Sequence, residues 1–475
     1  MFFQYGTAGN ETQLTEAEES QMWAKQLERY LQPYSERLDA YLDRRVVGNV
    51  TATIASIVQT RRELTLTEVG SALCGPEHTE AGVQRLQRVL QHQGWEAEVI
   101  AEVLWEQAEE SRKEMEQRGE TPLCIWDSSV LEKPESATME GLGAVRSSRA
   151  RRLARSRGGV FNQVGKPVRV RGYEWESLLL LGVSGVPQVV SMRWWGRQKG
   201  VPGQQRRIQE ELLSQVAQRW GKQVRHIFDR GYGHGPWLWQ LWRYRLRFVV
   251  RWKKGNQLID ASGQPRKAWE IARGKRPWGE ARLLWDTHYH VYRSTRVLAL
   301  PVRHPEYGGQ LWLVVVRQGK GREPWYLLTN EPVETAEHAW DITHSYVRRW
   351  KIEESFRFQK TELHIESLRL CAWEPRRKML LLVTLAYGFL LSLLTLSLWL
   401  ACSRLLLRWC PRADWRLMTA KVPLYRLRWA LSRLWQTHPP RFSACHPYRP
   451  LSHITWPVCS LPWWMTLWHQ CGCLF

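Results

Sequence analysis

The sequence lacks the features of an exported, disulfide-bonded protein. Its nine cysteines are odd in number and scattered over 475 residues, which excludes a framework of paired half-cystines. The first residues, MFFQYGTAGNETQ, contain no cationic stretch followed by an apolar run, so we expect no export signal. No internal repeat is apparent, which excludes a solenoid or a propeller. We therefore expect a reduced, cytoplasmic protein.

Acidic residues are also scarce. The chain has 46 Asp and Glu against 68 Lys and Arg, which gives a net charge of +22 and an isoelectric point near 9.9. Such an excess predicts binding to a polyanion, with nucleic acid ahead of an anionic membrane. Nine Lys or Arg and no acid fall between residues 146 and 171, which indicates a basic loop that holds phosphates without reading sequence. The 29 tryptophans supply surfaces on which bases could stack, although many must lie in the core.

Ionisable side chains are missing altogether from one segment. Met379–Ser403 contains 25 residues without Asp, Glu, Lys, Arg or His, a length that permits a membrane span. Both flanks are strongly basic and give no orientation. We expect a central helix packed against a sheet and keep a membrane span as the alternative. The basic segment that follows, residues 404–441, predicts an amphipathic helix that pairs with another subunit, with DNA or with a membrane surface.

The C-terminal tail, beyond about residue 440, is rich in Cys and Trp. Several of its side chains are potential zinc ligands, but their spacing matches no standard zinc site, so zinc binding is the less favoured interpretation. These side chains are His446, His453, Cys459, His469, Cys471 and Cys473.

Near the N-terminus, apolar residues at helical spacing predict small helices up to residue 60. Thr67 is then expected to cap a short helix, and after a Gly-Pro turn Thr79 is expected to cap a second helix that carries Arg85 and Arg88. This pattern resembles a helix-turn-helix that recognises a DNA end, and a plain helical hairpin is the alternative. The buried stripe of the second helix is predicted to be Val83, Leu86, Val89 and Leu90.

Two buried runs end in an aspartate. TPLCIWDSSV, residues 121–130, predicts a strand that delivers Asp127, and VRHIFD, residues 224–229, predicts another that delivers Asp229 before a glycine-rich turn. Aspartates at turns are common, so Asp229 alone would be a weak signal. Between these runs we expect strands at 177–183 and 188–195 and a helix near 204–220. Residues 248–330 predict a mostly antiparallel β insertion.

The segment YVRRWKIEESFRFQK, Tyr346–Lys360, lacks Gly and Pro and predicts a single helix. At 100° per residue, Tyr346, Arg349, Glu353 and Lys360 would fall within an arc of about 60°. A carboxylate between two cations suits a metal held beside a phosphate backbone. A solvated, salt-bridged helix face is the alternative interpretation.

Three acids therefore stand out: Asp127, Asp229 and Glu353. Phosphodiester chemistry needs an activated nucleophilic oxygen and a stabilised leaving oxygen, and two divalent ions roughly 4 Å apart supply both. Mg²⁺ prefers carboxylate and water oxygens, so two or three acids suffice to hold it. These positions predict a two-metal site on a DNA-binding protein.

The residues resemble the bacterial DDE cut-and-paste transposases of the insertion-sequence-four type. The hallmark of that family is Tyr, two residues, Arg, three residues, Glu, six residues and Lys, and residues 346–360 match it without a change in spacing. WDSS at Asp127, IFDRGYG at Asp229 and PWYLLTNEPVE also match. The resemblance covers about residues 60–430 and is densest from 321 to 370. Departures are DRG in place of DRE and the tail, which has no family counterpart.

The resemblance implies an α/β fold. It predicts a ribonuclease-H-like mixed sheet flanked by helices, an inserted antiparallel β domain and an N-terminal helical DNA-binding domain. The expected boundaries are 1–118 for the N-terminal domain, 119–405 for the catalytic domain with its insertion at about 246–332, and 406–475 for the basic C-terminal region and tail.

The resemblance also implies roles for individual residues. Asp127, Asp229 and Glu353 would be catalytic ligands of two Mg²⁺ ions, with Mn²⁺ as a substitute, and Trp325 would stack on a flipped base. The expected DNA contacts are Tyr346, Arg349 and Lys360, with Arg357 and Arg230 as weaker additions.

The expected partners are the inverted-repeat ends of the element, target DNA and a second copy of the chain in a synaptic complex, with no membrane. The protein would cleave its ends and transfer the 3′-hydroxyls into target DNA in the bacterial nucleoid. The alternative is a transposon-derived DNA-binding protein that has lost catalysis.

Overall fold

The computed structural model describes residues 14–150, 168–183, 185–196, 204–286, 291–319, 321–410 and 423–442. Most of the predicted basic loop at 146–171, and the Cys- and Trp-rich tail beyond residue 442, lie outside these residues. The chain divides into two compact units. The first contains the described residues up to Val103 and those from Gln359 onward, and the second contains those within Leu104–Phe358.

The second unit is built on one mixed sheet. Twelve strands within the described part of the chain belong to it. They are β1 (Leu123–Glu132), β2 (Gly143–Arg146), β3 (Arg169–Leu181), β4 (Gln188–Trp195), β5 (Arg225–Phe228), β6 (Arg247–Arg251), β7 (Gln257–Ile259), β8 (Pro265–Lys267), β9 (Trp278–Asp286), β10 (Val291–His304), β11 (Gly308–Gln318) and β12 (Trp325–Thr329).

The order of the strands is that of a mixed sheet with a parallel centre. β3 is antiparallel to both β1 and β4, whereas β1, β5 and β6 run parallel to one another. The neighbours β4-β3-β1-β5-β6 are consistent with a ribonuclease-H-like fold. β12 is antiparallel to β6 and carries the sheet on into β11 and β10. The antiparallel strands expected at 246–332 therefore extend the same sheet, and β6 within that range belongs to its parallel part.

The parallel strands are held by a large apolar core. All four residues of β5 and the first four of β1 are buried. Their Trp126 and Phe228 pack with Leu212 and Trp237, which belong to helices on one face of the sheet. A fully buried side chain of this size contributes about 1.5–3 kcal/mol. The middle of β1 and the end of β5, where the two predicted aspartates lie, are therefore rigidly placed.

The predicted helices are present with small shifts in their bounds. The helix expected near 204–220 is Gln204–Arg219, and the N-terminal helices are Glu16–Asp39 and Arg44–Gln59. The remaining described helices are Leu66–Cys74, Thr79–Gln91, Ala97–Gln117, Gly235–Arg243, Ala268–Ala272, Ala336–Val347, Trp350–Thr361, Trp373–Ser392, Trp399–Trp409 and Leu424–Thr437.

The segment Tyr346–Lys360 is not the single helix that we predicted. One helix ends at Val347, Arg348 and Arg349 form a turn, and a second helix begins at Trp350. Backbone hydrogen bonds of the i to i−3 type replace the helical pattern there, since the N–H of Arg349 donates to Tyr346 and that of Lys351 donates to Arg348. The side chain of Arg348 donates a hydrogen bond to the backbone carbonyl of Gly185, with its Nη2 2.8 Å from the oxygen. Long-range contacts of the side chains have overridden local helix propensity.

In the first unit, Trp373–Ser392 is a buried central helix. Every residue from Lys378 to Leu391 is buried, and the helix packs against Arg44–Gln59 and Thr79–Gln91. The prediction that this apolar segment packs on a sheet is therefore wrong: it lies among helices, which can bury it on all sides. Among the described residues, we find no helix with the length and apolar character required to cross a bilayer.

The division into units differs from the boundaries expected from the sequence. The helices after residue 359 group with the N-terminal helices, whereas we placed residues 119–405 in one domain. The physical reason is that helix Leu424–Thr437, like the apolar helix, buries its face against Arg44–Gln59. Its exposed side carries Tyr425, Trp429 and Arg433, so this part of the predicted segment 404–441 is an amphipathic helix, whereas residues 411–422 lie outside the described residues.

The predicted helix pair near residue 70 is present, with a different cap. Thr65, not Thr67, caps the first helix by accepting from the N–H of Glu68 at 3.2 Å. Thr79 begins the second helix but its hydroxyl donates to the carbonyl of Pro76 at 2.8 Å, so it is not an N-cap. Leu86, Val89 and Leu90 are buried as expected, whereas Val83 is half-buried and Gly82 takes its place.

The two basic residues of the second helix differ in their surroundings. Arg85 donates to the side-chain oxygen of Asn49 and is half-buried, whereas Arg88 is exposed. Arg88 is therefore the better placed of the two for a DNA contact, which stays a prediction for both.

The helices Leu66–Cys74 and Thr79–Gln91 pack closely where Gly70 meets Gly82, and this contact can be tested by mutation. A Cβ added at Gly82 would overlap the backbone carbonyl of Gly70, which has no room to move. We expect Gly82→Ala to lower the free energy of unfolding of this unit by about 1–3 kcal/mol, as for other overpacked cores. Gly48→Ala is the matched control: nothing lies within 4 Å of its new methyl group, and alanine favours the helix by up to about 1 kcal/mol. Chemical denaturation of both variants checks the prediction, and equal stabilities would contradict it.

Candidate active site

The three predicted acids come from three separate elements of the second unit. Asp127 lies within β1, Asp229 directly follows β5, and Glu353 lies in the first turn of the helix Trp350–Thr361. The parallel pairing of β1 with β5 aligns Ile125 with Ile227. The two aspartates each follow two residues later, so they lie at the same level of two neighbouring parallel strands. β5 ends just before Asp229, whereas β1 continues past Asp127 to Glu132, so Asp127 does not lie at the end of its strand as expected from the sequence.

Arg349 joins two of these acids. Its Nη1 lies 3.3 Å from Oδ2 of Asp127 and its Nη2 lies 2.5 Å from Oε1 of Glu353. Only 13% of the Arg349 side chain is exposed, so the guanidinium is a mostly buried bridge. The turn that interrupts the predicted helix places Arg349 in this position.

The third acid, Asp229, interacts electrostatically with Asp127. Burial raises the pKa of Asp127 to about 8, the Arg349 guanidinium acts to lower it, and the charges of Asp229 and Glu353 raise it further. Asp229 and Glu353 therefore lie close enough for their charges to act on the carboxyl group of Asp127. Even where Asp127 is protonated, these two acids outnumber the one guanidinium and leave a local excess of negative charge.

The three carboxyl groups do not form a preorganised metal-binding site in this structure. Within the described residues, no group of three or more His, Cys, Asp or Glu stands close enough to hold a metal ion. Arg349 occupies the space between Asp127 and Glu353. The donor chemistry nevertheless fits a hard divalent cation, because the groups are carboxylate oxygens with a surplus of negative charge.

Trp325 lies next to the bridge through Tyr346. The rings of Trp325 and Tyr346 meet edge to face at 5.5 Å, and the guanidinium of Arg349 lies 5.9 Å from the centre of the Tyr346 ring. Arg251 covers Trp325, with its Cζ 5.7 Å from the ring centre. Tyr346 is 4% exposed, so its predicted phosphate contact would need the surrounding side chains to move.

The other predicted DNA contacts lie at the surface. Arg230 and Arg357 are exposed, and Lys360 is half-buried with its Nζ 3.4 Å from a carboxylate oxygen of Glu366. Their positions permit contact with a phosphate, which stays a prediction.

Sequence reasoning missed two residues of this region. Arg251 ends β6, and Glu176 lies inside β3, opposite Ser128 of β1. A signal was available for Glu176, because a carboxylate placed directly before the apolar run SLLLL is unusual in a strand that is mostly buried. Nothing local distinguishes Arg251 from the many other arginines.

His226 is a fully buried residue of β5, three residues before Asp229. Its Nδ1 accepts a hydrogen bond from Nε1 of Trp126 at 3.0 Å, and burial lowers its pKa to about 3. The ring is therefore neutral in the folded protein, with its proton on Nε2. Protonation would place a charge in the core and break the bond to Trp126.

Because His226 is neutral when folded, we expect the free energy of unfolding to depend on pH. The pKa of His226 is about 3 when folded and 6.5 when unfolded, so the unfolded state binds more protons between these values. The free energy of unfolding must then fall as the pH falls through this range, and we expect His226 to contribute a loss of about 2 kcal/mol between pH 7 and pH 5. In chemical denaturation, His226→Gln should lose about that much less than the parent protein. His78→Gln, at an exposed position, is the control, and a variant at 226 with unchanged pH dependence would contradict the assignment.

Residues 203–389 match the family model for the transposase DDE domain. These residues are therefore similar to a transposase DDE domain. The matched range includes Asp229, Arg349 and Glu353, whereas Asp127 lies before it, on strand β1, which pairs with β5.

A solved structure is also similar to the chain: a piggyBac transposase in a synaptic complex with hairpin DNA, determined by cryo-electron microscopy. The identity is 10% and the TM-score is 0.32, over 66% of this chain and 52% of that one. This chain thus spans about half the length of the solved transposase. No curated protein matches the sequence.

Proposed function

We propose that this protein is a DNA transposase that cleaves the ends of its own mobile element and transfers the 3′-hydroxyls into target DNA. The observation that carries the proposal is the bridge formed by Arg349. It ties Asp127 to Glu353, while the charge of Asp229 acts on the same Asp127. Three acids from distant parts of the chain thus interact, and two of them, Asp229 and Glu353, lie in the range that is similar to the transposase DDE domain.

We propose Asp127, Asp229 and Glu353 as the ligands of two Mg²⁺ ions, with Mn²⁺ as a substitute. Their oxygens are the donors that Mg²⁺ prefers, and the excess of negative charge favours a divalent cation. The chemistry that such ions supply is activation of the attacking oxygen and stabilisation of the leaving oxygen.

The chain's own cations would hold the DNA strand at these acids. The Arg349 guanidinium is a planar donor whose two nitrogens match two phosphate oxygens as well as they match two carboxylates. We propose that Arg349 exchanges its carboxylate partners for a phosphate when the site is loaded. Arg230 and Arg251 would extend the contact along the strand, and Trp325 would stack on an unpaired base.

The finer features of the proposal are implied by the family resemblance, which Tyr346, Arg349, Glu353 and Lys360 carry. They are membership of the insertion-sequence-four type, a cut-and-paste pathway, a homodimer in the synaptic complex and action at the bacterial nucleoid. The helix pair that carries Arg88 is the proposed reader of the inverted repeat. A DNA-binding protein without catalysis is the alternative, which the sequence alone leaves open.

The DNA that flanks the gene provides the substrate for the test. Short inverted repeats bracketed by a direct duplication would define the ends of the element. A labelled duplex that contains such an end is then incubated with the protein in Mg²⁺, in Mn²⁺ or in a chelator. We expect metal-dependent cleavage at the end that exposes a 3′-hydroxyl. Binding to the end without cleavage in either metal would reject the proposed function and support the non-catalytic alternative.

A further inference from the structure

Glu176 is a carboxylate in a place where carboxylates are rarely tolerated. It lies in the interior of β3, is 0% exposed, and stands between two other fully buried residues, Trp175 and Ser177. Burial of a carboxylate is costly unless hydrogen bonds or an opposite charge offset the cost. The charge of Asp229 adds to that cost, because it acts together with burial to raise the pKa of Glu176. Such a residue calls for an explanation other than packing.

The carboxylate of Glu176 is held by three neutral donors from three different elements. Ser128 of β1 donates its hydroxyl to Oε2 at 2.7 Å, and Gln209 of the helix Gln204–Arg219 donates its side-chain N–H to the same oxygen at 3.0 Å. The hydroxyl of Tyr232, in the turn after β5, donates to Oε1. The hydroxyls of Ser128 and Tyr232 are themselves 3.1 Å apart. The cluster is therefore satisfied by hydrogen bonds and joins three elements at one point.

Two of these donors lie next to the aspartates in the chain: Ser128 follows Asp127 within β1, and Tyr232 lies in the turn that begins at Asp229. The backbone N–H of Ser128 donates to Oδ1 of Asp127 at 2.9 Å, so one residue contacts both carboxylates. The turn that begins at Asp229 is closed by the N–H of Gly231, which donates to Oδ1 of Asp229 at 2.6 Å, and by the N–H of Tyr232, which donates to the carbonyl of Asp229 at 3.3 Å. Glu176 thus connects the backbone at Asp127 to the backbone at Asp229.

Aromatic packing alone would keep Tyr232 in the core but would not fix its hydroxyl. The ring of Tyr232 lies 5.3 Å from that of Phe228 and 5.1 Å from that of Trp237, with tilted planes. These contacts would survive loss of the hydroxyl. The hydrogen bond to Glu176 is therefore the contact that sets the turn after Asp229 relative to β1.

We propose that Glu176 is a positioning residue that holds Asp127 and Asp229 at the separation needed to share divalent metal ions, without being a ligand itself. This inference rests on the proposed function. Residues that orient metal ligands typically change metal affinity or activity by about 10–100-fold when replaced. The predicted effect is therefore on metal affinity, not on DNA binding or on the fold.

The experiment compares Glu176→Gln and Tyr232→Phe with the parent protein and with Ser177→Ala. Ser177 is a matched control because it is the next residue of β3, equally buried and paired with Asp127 in register, yet its hydroxyl contacts the sulfur of Met192. Mn²⁺ binding is followed by calorimetry and by electron paramagnetic resonance. The Mn²⁺ concentration for half-maximal cleavage, the affinity for end DNA and the melting temperature are measured on the same preparations.

For Glu176→Gln we expect Mn²⁺ affinity to fall about 10–100-fold and the half-maximal Mn²⁺ concentration to rise by the same factor. Saturating Mn²⁺ should restore cleavage to within a few-fold, and end binding should be unchanged. Tyr232→Phe should show a smaller shift in the same direction, and Ser177→Ala should show none.

Unchanged Mn²⁺ affinity in a folded Glu176→Gln protein would overturn the inference. If that variant does not fold, Tyr232→Phe decides the matter, because the packing of its ring is kept: unchanged Mn²⁺ affinity there also overturns it. A loss of Mn²⁺ affinity in Ser177→Ala as large as that in Glu176→Gln would show a general effect on β3 and would contradict the inference as well. Failure of the proposed function is distinguishable, since the parent protein would then neither bind Mn²⁺ tightly nor cleave.

Discussion

Glu353→Gln is expected to lower the rate of metal-dependent strand cleavage by about 10³-fold or more. A carboxylate that holds a catalytic metal supports several kcal/mol of charge stabilisation in the transition state, and about 4 kcal/mol corresponds to a factor of 10³. Glutamine keeps the shape of the side chain and can still accept from Arg349, so the fold should survive. The measurement is the single-turnover rate of cleavage of a labelled end duplex.

Glu354→Gln is the matched control for that experiment. Glu354 is the next residue of the same helix, but its carboxylate pairs with Lys351 at 2.7 Å instead of facing the other acids. We expect its cleavage rate to stay within about twofold of the parent, because a half-buried pair between neighbouring turns of one helix contributes little to stability, about 1 kcal/mol. Equal losses in the two variants would show that helix stability, not the identity of the acid, limits the rate.

The same argument extends to the two aspartates. Asp127→Asn and Asp229→Asn should each abolish cleavage to a similar degree while end binding is kept, since the basic surface is unchanged. Undiminished cleavage by all three variants would reject the proposed mechanism while leaving a DNA-binding function intact.

Arg225→Ala is expected to cause the largest loss of stability, about 3–5 kcal/mol. Its side chain is 5% exposed and contacts three groups: Glu331 at 2.6 Å, Asp341 at 2.8 Å and the hydroxyl of Ser345 at 2.7 Å. Removal of the guanidinium would leave the mostly buried carboxylate of Glu331 with Arg247 as its remaining cation. Chemical denaturation measures the change in the free energy of unfolding.

We expect Arg225→Ala to lower the cleavage rate as well as the stability. Arg225 belongs to β5, whereas Asp341 and Ser345 belong to the helix Ala336–Val347, which leads directly into the turn at Arg349. Loss of the network should therefore release the helix that places Arg349, and cleavage should fall even where the protein remains folded.

Arg207→Ala is the control for the loss of an ion pair as such. Arg207 pairs with Glu211 at 2.9 Å, but its side chain is 82% exposed, so the expected change is below about 1 kcal/mol. A loss below 1 kcal/mol for Arg225→Ala as well would contradict the conclusion that the buried network holds the helix to the sheet.

The candidate site was predictable in part, and the reason differs from residue to residue. Asp127 and Asp229 could be found because a buried strand has a clear apolar pattern and the acid follows it. Glu353 could be found from its spacing to Arg349 and Tyr346. Glu176 and Arg251 could not be placed, because their relevance depends on the pairing of strands that are far apart in the chain.

The sequence by itself determined the elements with strong local patterns: the buried strands, the helix after β4, the apolar helix near residue 385 and the basic charge of the surface. Apolar periodicity and turn residues act over a few positions, so they can be recognised without knowledge of the fold. It also determined which acids and cations are available for chemistry.

Only the tertiary structure decided where the helix before Glu353 breaks, which elements bury the apolar helix, and that Arg349 lies between two carboxylates. Each of these depends on side chains that meet across more than a hundred residues, as Arg349 meets Asp127. Local propensity favoured an unbroken helix through Arg348, but the buried contacts of Arg348 and Arg349 outweighed it. Interactions over such separations are set by strand order and helix packing, which no local pattern encodes.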